Sequence, residues 1–129
     1  MGQKFIIDSN VISHLFANRL PKNGKELVSN IIDEDFVISV MVEIEVLTYH
    51  DTPEKMPLIE EFLKLANILP LDKEVTQKAI DLRRKYKKMK LGDAIIGATA
   101  LVYGRTLLTN NTKDFANIKG LKLLDPHKI

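Results

Sequence analysis

The sequence predicts an α/β fold: a single three-layer α/β/α domain over residues 1–129, with a central parallel sheet of four to five strands. Three observations predict it. Short apolar, β-branched runs, Phe5-Ile6-Ile7, Phe36-Val37-Ile38-Ser39 and Thr106-Leu107-Leu108-Thr109, read as buried strands. The stretches between them repeat apolar residues at helical spacing, and strands separated by helices imply a parallel sheet covered on both faces. Acidic residues recur where each strand ends or the next helix begins, at the sheet edge where such folds bind ligands.

Taken in order, residues 4–8 form the first strand, and Ser9-Asn10 offers a cap for a helix carrying Val11, Ile12, Leu15 and Phe16. Leu27, Val28, Ile31 and Ile32 mark a second helix, running up to an acidic turn at Asp33-Glu34-Asp35. Residues 36–40 are the second strand. Residues 41–49 follow as a helix with Met41, Glu45 and Tyr49 on one face. Two prolines make 50–57 a loop, Ile59, Phe62, Leu63 and Ala66 mark a helix, and 67–71 form a short strand. Asp72 is placed to cap a long helix whose apolar stripe is Val75, Ala79, Leu82, Tyr86 and Met89. Residues 92–100 form a small-residue helix, Asp93 near its start, with Gly104 as its C-terminal stop. A strand at 106–109, a loop with a short turn at 110–119 and a last strand at 121–124 complete the chain.

Composition bounds the function. An apolar share of 45% and a charged share of 28% fit a globular domain, and no apolar run nears the roughly 18 residues of a membrane span. The N-terminus turns acidic too early for a signal peptide, and with no cysteine there is neither disulfide nor thiolate site. A cytoplasmic protein with no membrane partner is expected. The net charge of +2 says little, but Arg83-Arg84-Lys85-Tyr86-Lys87-Lys88-Met89-Lys90 is a dense basic block. It reads either as the solvated C-terminal end of a helix or as a phosphate-binding patch.

Chemistry rests on Asp8, Glu45, Asp93 and Asp114. Each has a plain alternative: Asp8 and Asp114 as caps or turn anchors, Asp93 as an acid favoured at a helix N-terminus, and Glu45 as a surface charge like Glu43 two residues earlier. Together they form a set of hard oxygen donors. Several carboxylates in one pocket require raised pKa values or a cation, and the donor type points to Mg²⁺ or Mn²⁺. His14, His50 and His127 lack metal-ligand spacing, and no Walker loop, GxGxxG or GxSxG is present.

Four segments in order resemble the motifs of the PIN-domain ribonucleases, especially the VapC-type toxins of toxin–antitoxin pairs. They are Phe5-Ile6-Ile7-Asp8-Ser9-Asn10, Ser39-Val40-Met41-Val42-Glu43-Ile44-Glu45, Gly92-Asp93-Ala94-Ile95-Ile96-Gly97-Ala98-Thr99-Ala100 and Leu108-Thr109-Asn110-Asn111-Thr112-Lys113-Asp114-Phe115. The resemblance implies a single PIN-like nuclease domain cutting RNA endonucleolytically with Mg²⁺ or Mn²⁺. It selects Glu45 over Glu43 and makes Asp8, Glu45, Asp93 and Asp114 the catalytic and metal-binding set. Ser9, Asn10, Thr109 and Asn111 are then supporting residues. Asn111 departs from an acid common at that position, so the fourth ligand falls to Asp114 or Asn111, with Asp114 preferred. Arg83, Arg84, Lys87, Lys88 and Lys90 are candidates for contacting the RNA backbone. A homodimer and an inhibitory antitoxin are also implied. The alternative is a PIN-like module that binds RNA or a partner protein with weak or no nuclease activity.

Overall fold

The computed structural model describes residues 2–49 and 52–129. Five short strands, β1 (Phe5–Ile7), β2 (Val37–Ser39), β3 (Asn67–Leu69), β4 (Thr106–Leu108) and β5 (Leu123–Leu124), alternate with helices. The helices are α1 (Ser9–Phe16), α2 (Lys22–Asp35), α3 (Val40–Thr48), α4 (Met56–Leu63), α5 (Lys73–Lys85), α6 (Leu91–Val102) and α7 (Thr112–Phe115), followed by a 3-10 turn at Pro126–Lys128.

Every strand pairing is parallel, as helical crossovers require. The ladders fall into two groups, β1-β4-β5 and β2-β3, with β1 running beside β2. The expected single sheet is thus five strands in the spatial order β3-β2-β1-β4-β5, hydrogen-bonded as three plus two. Strands of two or three residues give a ladder little length before the sheet's twist carries neighbours apart. From β1 the chain moves outward to β2 and β3, then crosses to β4 and β5 on the other side. The direction of winding therefore switches between β1 and β4, and the crevice beyond their C-terminal ends is where such a sheet binds ligands.

Burial follows the sequence pattern. Ile6, Ile7, Val37, Ile38, Leu107 and Leu108 are completely buried at the centre of the core. Ala94, Ala98 and Ala100 are also fully buried, their small side chains allowing α6 to lie close to its neighbours. Ser39 Oγ caps α3 by accepting the Val42 N–H at 3.1 Å, and Asp72 caps α5 through the Val75 N–H at 2.9 Å. Gly104, at φ +63°, ends α6. Its own N–H reaches the Leu101 carbonyl at 3.2 Å and Arg105 N–H that of Ala100 at 2.9 Å, the paired bonds of a Schellman stop.

Several boundaries differ from expectation. Asp33, Glu34 and Asp35 belong to the last turn of α2, where Asp35 pairs with Arg105 at 2.8 Å. The cap of α1 is Asp8, one residue before the expected Ser9-Asn10. Helix α5 stops at Lys85, so Tyr86 and Met89 lie beyond it although both still pack against the core. The reversal at 86–90 lets α6 pack along α5, and the Tyr86 hydroxyl anchors it by donating to the Asn117 carbonyl at 2.6 Å. Of the expected loop at 50–57, residues 50 and 51 lie outside the described residues, and α4 begins already at Met56.

The closing 3-10 turn has no signal in the periodicity and is fixed by tertiary contact. Asp125 Oδ1 accepts the His127 N–H at 2.8 Å, and His127 Nε2 meets His14 Nδ1 at 2.8 Å. Burial, reinforced by the nearby His127 and Arg19 charges, lowers the His14 pKa, while Asp125 opposes the shift.

Candidate active site

The C-terminal ends of β1 and β4 are tied together by side chains. Asp8 leaves β1 only 4% exposed, and its backbone N–H still bonds the Leu108 carbonyl at 2.9 Å. Its Oδ1 accepts the Ser9 N–H at 2.8 Å, while Oδ2 accepts from the Thr109 hydroxyl at 2.8 Å and the Asn10 amide at 2.9 Å. The bond by which Asp8 caps α1 is thus one of those that fix its carboxylate at the end of β1. Thr109, fully buried, also accepts the Asn111 N–H at 3.0 Å, and Asn10 Oδ1 accepts the Asn110 N–H at 3.1 Å.

Helix α3 brings Glu45 alongside. Glu45 is half-buried and its Oε1 accepts the Ser9 hydroxyl at 3.0 Å. Helix α6 brings Asp93 in its first turn, also half-buried. Gly92 permits that approach: a Cβ there would lie 3.1 Å from Glu45 Oε2 and 3.2 Å from Met41 Cε. Asn111 and Asp114, both exposed, come from the short turn after β4.

Asp8, Glu45, Asp93 and Asp114 line one open cavity of about 830 Å³, together with Ser9, Asn10, Asn111 and Lys90. Thr109 stands behind Asp8, outside that lining. Glu43 is half-buried and is not part of the wall.

The cavity is electrostatically strained. Burial is the main force raising the Asp8 carboxyl above its ordinary value, against the hydrogen bonds from Thr109, the Ser9 N–H and Asn10 that favour the anion. Burial also raises Glu45, with the Asp8 charge adding to it and the Ser9 hydroxyl opposing it. Asp93 is pushed up to about 6, first by burial and then by the charges of Asp114, Asp8 and Glu45, while Lys90 pulls the other way. Three carboxyls that are all harder to ionise than usual form a site short of positive charge.

The basic block does not form one surface. Lys90 joins the acidic cavity. Arg83, Arg84 and Lys87 instead border a separate, largely apolar groove of about 390 Å³ with Leu71, Ile80 and Leu91, and Lys88 is exposed and lines neither. The end of α5 at Lys85 and the reversal after it are what divide the block.

Ser13, Arg19, Tyr49 and Lys55 also line the acidic cavity, and sequence reasoning does not single them out as site residues. Ser13 and Tyr49 have a legible signal, being four residues after Ser9 and Glu45 on the same helix faces. Arg19 and Lys55 come from turns, where periodicity carries no information.

Comparison with known proteins agrees with this architecture. The model of the PIN-domain family matches residues 5–121, which include all four acidic segments. The chain is 31% identical to Ribonuclease VapC1 of Rickettsia felis over 128 residues, covering 92% of this chain and 93% of that protein. A chain of a toxin–antitoxin complex from Klebsiella pneumoniae superposes with a TM-score of 0.78 at 28% identity, over 98% of this chain and all of that one. The structure of VapBC-1 from nontypeable Haemophilus influenzae matches in fold, with a TM-score of 0.80 at 24% identity over 98% of this chain. The strand order, the acid-lined crevice at its switch point and these matches together make the chain a member of the PIN-domain family, with VapC proteins as its relatives.

Proposed function

We propose that this protein is a divalent-metal-dependent endoribonuclease, the toxin of a type II toxin–antitoxin pair. The observation that carries the proposal is the meeting of four carboxylates in one cavity, with Asp93 pushed up to about 6 by the others and by burial. The donor set fits a hard cation, Mg²⁺ or Mn²⁺, because every candidate ligand is a carboxylate or amide oxygen. Among the described residues no three Asp, Glu, His or Cys side chains are already drawn in around one point, so binding would have to pull the exposed Asp114 and the half-buried Glu45 and Asp93 together. Asp8, Asp93 and Asp114 would hold the ion, with Glu45 completing the set or orienting the attacking water.

A bound cation of this kind supplies charge at the scissile phosphate and acidifies the attacking water. The chain's own residues do the rest. Thr109, Asn10 and the Ser9 N–H fix both oxygens of Asp8, so that its carboxylate is oriented before anything binds. Ser9 Oγ holds Glu45 Oε1 on the same side of the crevice. Lys90 is the cation of the basic block placed to meet a substrate phosphate there.

An antitoxin partner is supported by the similar chain from Klebsiella pneumoniae, which was solved as a toxin–antitoxin complex. An open, acid-lined cavity suits an arginine-bearing partner segment, which would pair with the carboxylates bidentately. A homodimer rests on the family resemblance alone.

Thr109→Val removes one of the bonds that orient Asp8 while keeping its shape. RNA cleavage is expected to fall about tenfold to 100-fold, and loss of the bond to the charged acceptor to cost about 1.5–3 kcal/mol, to which loss of the acceptor for the Asn111 N–H adds. Steady-state cleavage and thermal unfolding of the same preparation check both.

The reading itself is tested by incubating purified protein with a mixed RNA pool in Mg²⁺, in Mn²⁺ and in EDTA. Cutting that requires the metal is the expected result. RNA binding without cutting in any of the three would replace the enzyme with a binding module.

A further inference from the structure

Among eight aromatic residues, Tyr49 is placed unlike the rest. All five phenylalanines belong to the core or pack against it. The Tyr86 hydroxyl is engaged by the Asn117 carbonyl, and that of Tyr103 donates to Asp72 at 2.8 Å. Tyr49 is 74% exposed, more than any other large apolar side chain among the described residues, and it forms part of the wall of the acidic cavity. An aromatic ring left this open gains nothing for the fold and has its face available for another flat group.

Its position relative to the acids is fixed by α3. Tyr49 follows Glu45 by four residues, about one helical turn or 6 Å along the axis, and its N–H closes that turn on the Glu45 carbonyl at 2.9 Å. Helix α1 contributes Ser9, Ser13 and His14 to the same wall, with Ala17 just past its end. Arg19 lies beyond the end of α1 and also lines the cavity. Beside its carboxylates the cavity wall thus holds an open aromatic ring, hydroxyls and a guanidinium. That set of groups suits an unpaired nucleotide strand, whose phosphates, bases and ribose hydroxyls each find a complementary side chain there.

We infer that Tyr49 is a positioning residue of this nuclease, the platform on which an unpaired base flanking the scissile phosphate stacks, with Arg19 receiving a phosphate further along the same strand. The inference rests on the ribonuclease reading above and adds to it a determinant of how the strand is seated. Duplex RNA cannot use the platform, because its bases are already stacked on one another.

The test compares wild-type protein with Tyr49→Ala, Tyr49→Leu and Tyr49→Trp, using a short mixed-sequence single-stranded RNA with phosphorothioate linkages in Mg²⁺ and a duplex of the same length. Tyr49 is exposed, so all four proteins are expected to melt alike. Stacking of one base predicts about tenfold weaker single-strand binding for Tyr49→Ala. Tyr49→Leu, which keeps apolar bulk but has no ring, should match the alanine variant, Tyr49→Trp should match wild type, and duplex binding should not move. In cleavage of the mixed pool, Tyr49→Ala should raise KM about tenfold with kcat within about twofold. Equal single-strand affinity for Tyr49→Ala and wild type, or full rescue by leucine, would overturn the inference, as would no single-strand binding by wild type. Wild-type metal-dependent cleavage is scored separately, so loss of the platform and loss of the nuclease reading give different patterns.

Discussion

Asp93→Asn is expected to lower metal-dependent RNA cleavage by about 100-fold or more, since removing even an outer partner of a metal ligand costs tenfold to 100-fold. The same substitution should make the metal-free protein more stable. Asp93 is pushed up to about 6 from an ordinary 3.8 by burial and by Asp114, Asp8 and Glu45. Between those values the folded state binds a proton that the unfolded state does not, so stability is highest at low pH and falls as pH rises from about 4 through about 6. Above that range the metal-free protein carries the full repulsion. The amide of the Asp93→Asn variant carries none of it, and after discounting for solvent screening of a half-exposed group the gain at neutral pH is about 1 kcal/mol. For a domain of 129 residues that is a rise of about 3–5 °C in Tm. Thermal melts of both proteins in EDTA at pH 4.5 and pH 7.5 check it: the curves should nearly coincide at the lower pH and separate at the higher. Saturating Mg²⁺ should reverse the order at pH 7.5, because the ion stabilises only the protein that binds it. Loss of activity joined to a gain in stability separates a functional carboxylate from one that merely caps α6, whose removal would cost stability.

Gly24→Ala should have the largest effect on the fold away from the site. A Cβ at Gly24 would lie 1.9 Å from the Pro126 carbonyl oxygen and 2.9 Å from its carbon, both backbone atoms. Alanine's advantage over glycine in a helix is at most about 1 kcal/mol, whereas overpacking against backbone costs about 1–3 kcal/mol. The clash wins unless the C-terminal turn moves away from α2. If it moves, His127 is drawn off His14, and the burial and charge that depress the His14 pKa are relieved. The expected outcome is a Tm lower by several degrees, with the His14 titration, followed by NMR, shifted upward toward its ordinary value. An unchanged His14 titration would mean that the 3-10 turn is held independently of α2.

The order of elements is legible in the sequence because it depends on local pattern. Phe5-Ile6-Ile7 and Thr106-Leu107-Leu108 read as buried strands on composition alone, and helical spacing in α2 and α5 needs no tertiary information. What stays hidden depends on contacts between distant segments. The turn at 86–90 looks like more of α5 by periodicity, since Tyr86 and Met89 continue its stripe. The chain leaves the helix there to let α6 pack back along it. The closing 3-10 turn exists through His14, Gly24 and Asp125, none of which signals a helix.

The candidate site divides in the same way. Asp8, Glu45, Asp93 and Asp114 stand out through their places at strand ends and helix starts and through the family resemblance, and they line one cavity. The basic block reads as one patch because its residues are contiguous. A five-residue reversal sends Lys90 toward the acids and leaves Arg83 and Arg84 beside an apolar groove. Spacing puts Tyr49 on the face of Glu45 but marks it only as a helix neighbour, since exposure cannot be inferred from spacing.

The central claim is that these carboxylates hold a divalent cation, and Mn²⁺ binding measured by calorimetry on wild type, Asp8→Asn and Asp93→Asn tests it most directly. The account predicts saturable binding by wild type at neutral pH that weakens as pH falls toward 6, where Asp93 takes up a proton, and that is lost in both variants. Binding of equal strength in all three proteins, or none in wild type, would contradict it.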